Sequence, residues 1–167
     1  MKRLLSSLLV VAFSLALSAE SPPVLRMPGQ QDRPIAPATL LGSDRSEVKV
    51  EDGKGGTTVY AGSPLLAVLE KNGLETKDMG AERKTAPAIV IATARDGYTV
   101  VFSVGELLMH RSDPHVYLIA EKAGATLSEG EGPVRLVVVG QRARSAYGLA
   151  RIELKFLADN PPLSHGR

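Results

Sequence analysis

The sequence predicts a mixed α+β domain, a mainly antiparallel sheet carrying short helices. Three observations point to it. Runs of strand length recur along the chain: "SEVKV", "APAIVIATA", "YTVVFS", "HVYLIAEK", "RLVVV" and "LARIELKF". They are rich in Val, Ile and aromatic residues, and glycine or aspartate turns separate several of them. Only "SPLLAVLEKNG" and "VGELLMH" show helical signals, and both are short. Strands interrupted by isolated short helices, without regular strand–helix alternation, indicate the α+β class.

The first stretch, "MKRLLSSLLVVAFSLALSAES", opens on Lys2 and Arg3 and continues into an apolar run from Leu4 to Leu17. Small residues follow it. This is the pattern of a signal peptide over residues 1–19, cleaved to leave a mature start near Ala19 or Glu20. The run is shorter than the ~20 apolar residues of a spanning helix, so no stable membrane insertion is expected after cleavage. The expected location is periplasmic or secreted. Residues 20–39 hold Pro22, Pro23, Pro28, Pro34 and Pro37. They read as an extended leader, weakly ordered or draped on the surface.

The expected compact domain covers residues 40–157. "SEVKV" alternates like a strand, "EDGKGG" turns, and "TTVYAG" is a short strand ending at Gly62. "SPLLAVLEKNG" is the clearest helix: Ser63 suits its cap, Pro64 its first position and Gly73 its C-terminal end. "APAIVIATA" reads as a strand buried on both faces. The "DG" that follows turns it into "YTVVFS", a hairpin over residues 87–102. Ser103 and Glu106 fit a capping box opening "VGELLMH". "HVYLIAEK" is a strand that turns at Gly124. "PVRLVVVG" is a buried strand, "QRARSAYG" a loop, and "LARIELKF" the last strand. Residues 158–167 read as a loose tail.

Composition excludes several function classes. The chain has no cysteine, so there is no disulfide, no thiolate metal site and no cysteine nucleophile. Without Lys2 and Arg3, 18 basic residues face 18 acidic ones. That balance, with seven Phe and Tyr and no Trp, gives no support to nucleic-acid binding. There is no G-x-S-x-G elbow. His110, Asp113 and His115 of "HRSDPH" are metal-ligand types, but they straddle a helix end and a turn, and no metal site is assigned to them.

The residues that point to a site cluster near "GEGPVRLVVVG". Arg135 stands at the mouth of a buried strand behind Gly132 and Pro133. It is either an anion hook making bidentate bonds to a phosphate or a structural partner of Glu131 or Glu129. Arg142 and Arg144 follow a glycine turn and either extend an anion site or belong to a solvated loop. Tyr147 either stacks on a flat ligand or packs half-buried.

The ordered pieces resemble the sulfite oxidase family. "YAGSPLLAVLEKNG", "DGYTVVFSVGEL", "VYLIAEKAGATLSEGEGPVRLVVVG" and "LARIEL" are similar, in order, to segments of its molybdopterin-binding domain. The likeness runs from about Val48 to Leu154, and "GPVRLVVVG" is its most specific part. It implies a small molybdopterin-binding-domain-like fold with Arg135 on the phosphate tail of the pterin cofactor; the basic residue of the family's "V-K-W" segment is not matched in "SAYGLA", where Arg142 or Arg144 would stand in, and Gly132, Pro133 and Tyr147 complete the candidate cofactor-binding set. In the family a cysteine thiolate binds molybdenum; that place falls near Glu51 and Asp52 here, and molybdenum ligation by cysteine is excluded. The family's histidine before the glycine–proline segment corresponds to Glu131, and the proline of its "V-V-P-G" to Val139. The expectation is therefore a periplasmic binding or accessory domain. Its partner would be an anionic small molecule, molybdopterin or another pterin, or else a periplasmic protein, without molybdenum redox catalysis. A molybdopterin-dependent oxidoreductase with a non-cysteine metal shell is the alternative, and an interaction module with a vestigial cleft is the second.

Overall fold

The computed structural model describes residues 20–51 and 55–157. The expected signal peptide, the expected tail and the centre of the "EDGKGG" turn lie outside the described residues. Two five-stranded sheets carry the fold. One contains β1 (Val24–Arg26), β2 (Arg33–Pro34), β5 (Ile89–Ala94), β6 (Thr99–Ser103) and β10 (Leu149–Lys155), in the order β2-β1-β10-β5-β6. The other contains β3 (Ser46–Glu51), β4 (Thr57–Pro64), β7 (Val116–Lys122), β8 (Ala125–Thr126) and β9 (Arg135–Val138). Its order is β3-β4-β7-β8, with β9 also paired to β7. Among the described strands every pairing is antiparallel except that of β1 with β10. Four short helices, α1 (Pro37–Leu40), α2 (Leu65–Lys71), α3 (Met79–Thr85) and α4 (Val104–Met109), complete the mixed α+β class, with a 3-10 turn at Arg142–Arg144.

The principal core takes Val90, Ala92 and Phe102 from the first sheet and Leu118, Leu136 and Val138 from the second. Four apolar residues of α2, Leu65, Leu66, Val68 and Leu69, are buried in it. Each such side chain stabilises the fold by ~1.5–3 kcal/mol relative to exposure. A second, smaller cluster lies on the other face of the second sheet: Val48, Tyr60, Ile119 and Val137. Successive strand residues face opposite ways. In β9, Leu136 and Val138 therefore enter the principal core, while Arg135 and Val137 face the second cluster. This is why "RLVV" is buried at all four positions.

Several expectations need correction. The residues read as a leader are part of the first sheet: β1 lies between β2 and β10, and Leu25, Met27 and Ile35 are buried. Ser63 does not cap α2. It is buried, and its hydroxyl donates to the Leu40 carbonyl at 2.8 Å, tying the end of β4 to α1. Pro64 is the last residue of β4 and α2 starts after it. Strand β5 is buried on one face, not both, because Ile89, Ile91 and Thr93 face outward from the sheet and stay partly accessible. Helix α3 was not anticipated. Asp78 caps it by accepting from the Gly80 and Ala81 amides, and Glu82 stands in its first turn.

Other local signals give the structure they should. Ser103 Oγ accepts from the Glu106 amide at 2.9 Å and opens α4. Gly73 and Gly97 take positive φ, at the end of α2 and in the β5–β6 turn. Gly62 is required by space: a Cβ there would stand 1.9 Å from the Leu118 carbonyl oxygen, where β4 shifts register against β7.

Candidate functional site

Strand register builds a cleft on the outer face of the second sheet. Lys49, Val50 and Glu51 of β3, Thr58 and Tyr60 of β4, and Arg135 of β9 line one part of it. The segment from Val139 to Tyr147 supplies the other wall, including Arg142. The cleft holds about 520 Å³. Lys49, Arg135, Arg142 and Glu51 contribute to its lining, although alternation along β3 turns the Lys49 and Glu51 side chains to the face opposite Val48, Val50 and Tyr60.

Arg135 is 7 % exposed. Its guanidinium lies along the sheet between aromatic rings rather than out in solvent. The guanidinium carbon sits 3.8 Å from the Tyr147 ring centroid and 5.1 Å from that of Tyr60. One amino group, Nη1, donates to the Tyr60 hydroxyl at 3.0 Å and to Glu131 Oε1 at 3.1 Å. The Nε–H is buried without a partner. Tyr147 covers the guanidinium with one face and stays half-exposed.

Glu131 is held from three sides. Lys122 Nζ stands 3.2 Å from both carboxylate oxygens, the Ser128 hydroxyl donates at 2.7 Å, and Arg135 completes the set. Burial pushes this carboxyl up, but hydrogen bonds from Ser128 and Lys122, with the charges of Lys122 and Arg135, outweigh it and hold the group below the ordinary carboxylate range. Glu131 is therefore an anion at neutral pH, and Arg135 already has a charged partner.

The sequence-predicted site residues are only partly brought together. Arg135, Arg142 and Tyr147 share the cleft. Gly132 and Pro133 do not line it: they form the turn before β9, where the Gly132 carbonyl accepts from Arg95 at 3.2 Å. Arg144 turns away. It binds both oxygens of Glu106 at 2.7 and 3.2 Å, donates to the Val101 carbonyl and lies 4.4 Å over the Phe102 ring. Its side chain braces the 3-10 turn against β6 and α4. The Tyr98 hydroxyl, donating to the Ala143 carbonyl, adds a second brace. The cleft wall is thus anchored to the first sheet.

Lys49, Thr58 and Tyr60 were missed as site residues. Alternation places Thr58 and Tyr60 on one face of β4, but nothing local in the sequence says that this face meets β9's Arg135. His110 and His115 meet edge-on, with ring centroids 4.2 Å apart. Among the described residues, no three His, Cys, Asp or Glu side chains converge as a metal set. No helix among them is long and apolar enough to cross a membrane.

Compared by sequence, the chain matches no family model and no curated protein. Compared by structure, it is similar to the sulfane dehydrogenase SoxCD from Paracoccus pantotrophus, with a TM-score of 0.55 and 17 % sequence identity. The likeness covers 80 % of this chain and 38 % of that one, so the chain spans well under half of the neighbour's length. At this identity the likeness is one of fold. The α+β architecture of molybdopterin-binding-domain type, implied by the sequence resemblance, is the architecture of this chain.

Proposed function

We propose that this chain is an exported, non-redox binding or accessory domain of molybdopterin-binding-domain fold, and that its cleft receives a planar, anionic small molecule of pterin-like shape. The observation that carries the reading is the cleft itself. A half-exposed Tyr147 ring is fixed on the buried Arg135 guanidinium, and Arg142 lines the same cleft. A ring fixed from behind offers its other face for stacking at little entropic cost. The two arginines favour an anionic group on the ligand.

The group implied by such a fold is a molybdenum-bearing pterin. The residues present do not fit the metal. There is no cysteine, and no convergent set of three ligand side chains among the described residues. A soft metal centre has no thiolate to hold it, and no redox step runs through it in this reading.

Fluorescence titration with 6-carboxypterin, a planar carboxylate, tests the cleft. Saturable binding at low ionic strength is expected. Tyr147→Ala should weaken it about tenfold, a stacked base or ring being worth ~1–3 kcal/mol. Absence of saturable binding at low salt would overturn the reading. The second reading, an interaction module with a vestigial cleft, is favoured by one observation: Glu131 already occupies Arg135. It requires that Tyr147→Ala leave every small-molecule titration unchanged.

A further inference from the structure

We propose that β3 is a dimerisation edge: two copies of this chain pair β3 against β3, antiparallel about Val48, and the charges along the strand fix that register. The inference does not depend on the cleft being a small-molecule site.

A strand at the end of a sheet leaves alternate amides and carbonyls without a ladder partner, and folded proteins blunt such edges. Among the described strands, the other edges are blunted. β2 and β8 are two residues long, and β2 ends in Pro34. β6 is capped where Arg144 donates to the Val101 carbonyl at 3.0 Å. The far side of β9 is closed by the bridge between Leu136 and Ala146. β3 differs. It is six residues long, with neither proline nor glycine. It pairs β4 in unbroken register from Ser46 to Glu51 and has no second partner among the described strands.

Alternation turns Glu47, Lys49 and Glu51 to one face of β3, and Val48 and Val50 to the other. In an antiparallel dimer with its two-fold through Val48, Lys49 of each copy stands opposite Glu47 of the other. One step beyond the strand, Arg45 stands opposite Glu51. Every opposed charge pair then has opposite signs, which stabilises a sheet, whereas like charges opposed destabilise it. The smallest slip that keeps the faces matched is two residues. One such slip sets Lys49 against Lys49 and Glu47 against Glu51. The other sets Glu47 against Glu47 and Arg45 against Lys49. The register about Val48 is therefore favoured over both neighbours. Among the described residues Lys49 and Glu51 have no ion-pair partner within the chain. On the opposite face the small cluster of Val48 and Tyr60 would continue across the two-fold.

An edge contact is smaller than a standard stable interface, so a reversible dimer is expected, with a dissociation constant between ~10 μM and ~1 mM at low salt. Sedimentation velocity of the purified protein across that range measures it. Added salt should weaken the dimer, because exposed pairs are screened. Lys49→Glu and Glu47→Lys each replace two attractions by two repulsions, since the two-fold repeats every pair. Each should weaken the dimer about tenfold or more. An equimolar mixture of the two variants should dimerise again, because every opposed pair in the mixed dimer has opposite signs. Both side chains are exposed, so both variants should melt as wild type does. The double variant Glu47→Lys/Lys49→Glu, which restores the pairs within one chain, should dimerise like wild type and keeps the test decisive if a single variant fails to fold.

A wild type that stays monomeric at low salt up to ~1 mM would overturn the proposal and leave the edge to water or to an extended segment of another protein. A dimer that neither single variant weakens would place the interface elsewhere and overturn it too. So would single variants that stay apart when mixed, together with a double variant that stays monomeric, because the loss would then not be one of charge pairing. None of these outcomes bears on the cleft, which pterin titration tests separately.

Discussion

Removing the Arg135 side chain should destabilise the protein as a core substitution does, although the residue is charged. In Arg135→Ala, two buried methylenes are lost at about 0.8 kcal/mol each. The charge-assisted bond to the Tyr60 hydroxyl is worth ~1.5–3 kcal/mol. The contact with Tyr147 at 3.8 Å adds ~0.5–2 kcal/mol. Two effects oppose these losses. The buried Nε–H lacks a partner in the native protein, and its removal returns ~1–3 kcal/mol of desolvation cost. Glu131 is also not stranded, because Lys122 and Ser128 still hold it. The expected net loss is about 2–4 kcal/mol, below the ~3–5 kcal/mol seen when one partner of a buried ion pair is removed and the other is left alone. Urea unfolding at pH 7.5 measures it, and a chain of this size should lose several degrees in Tm per kcal/mol, on the order of 2–8. A loss under about 0.5 kcal/mol, the range of ordinary surface substitutions, would refute the burial and bonding of Arg135 described above.

Two further outcomes test the fold and its electrostatics. Leu69, fully buried in α2, should cost about 2–5 kcal/mol on conversion to Ala, read by the same unfolding curves; a surface-sized change would place α2 wrongly. Glu131 is held below the ordinary carboxylate range, as is Glu106, where the Arg144 hydrogen bond and charge exceed the opposing push of burial. A depressed folded-state value means that the unfolded chain binds the proton more readily. The stability these groups supply is thus fully present above the unfolded value, near pH 4.3, and is lost as pH falls through the lower folded values. The unfolding free energy should drop below about pH 5, less steeply in Glu131→Gln; an unchanged slope in that variant would show that the cluster does not hold a charged carboxylate.

How much of this was legible in the sequence depends on how local each signal is. The β5–β6 hairpin could be read because Asp96-Gly97 carries its own turn geometry. Helix α4 could be read because Ser103 caps it from one residue away. The burial of α2's apolar stripe needed only helical spacing. Strand β1 could not be read. It is three residues long, set among prolines, and its partner β10 lies at the other end of the chain. The direction of Arg135 was hidden for a related reason. Parity within β9 says that Arg135 and Val137 share a face, but only the register of β4 and β7 brings Tyr60 to that face. Arg144 misled because its position beside a glycine turn resembles that of Arg142. The difference between them is a bidentate carboxylate, Glu106, contributed by another element.

The parallel pairing of β1 with β10 also governs the order in which the molecule can become whole. Leu25 lies against Ile152 in register, so the first strand made waits for the last. During synthesis the hairpins β3–β4 and β5–β6 can close while β1 has only its two-residue partner β2. Parallel neighbours cannot be joined by a tight turn, and pairing across nearly the whole chain places this fold among the slow, high-contact-order topologies. Until β10 arrives, Leu25 and Met27 remain uncovered, and the nascent chain is most open to proteolysis and misassociation during that interval. A circularly permuted chain that carried β1 after β10, joined by a linker long enough to run back along the sheet, would shorten the interval.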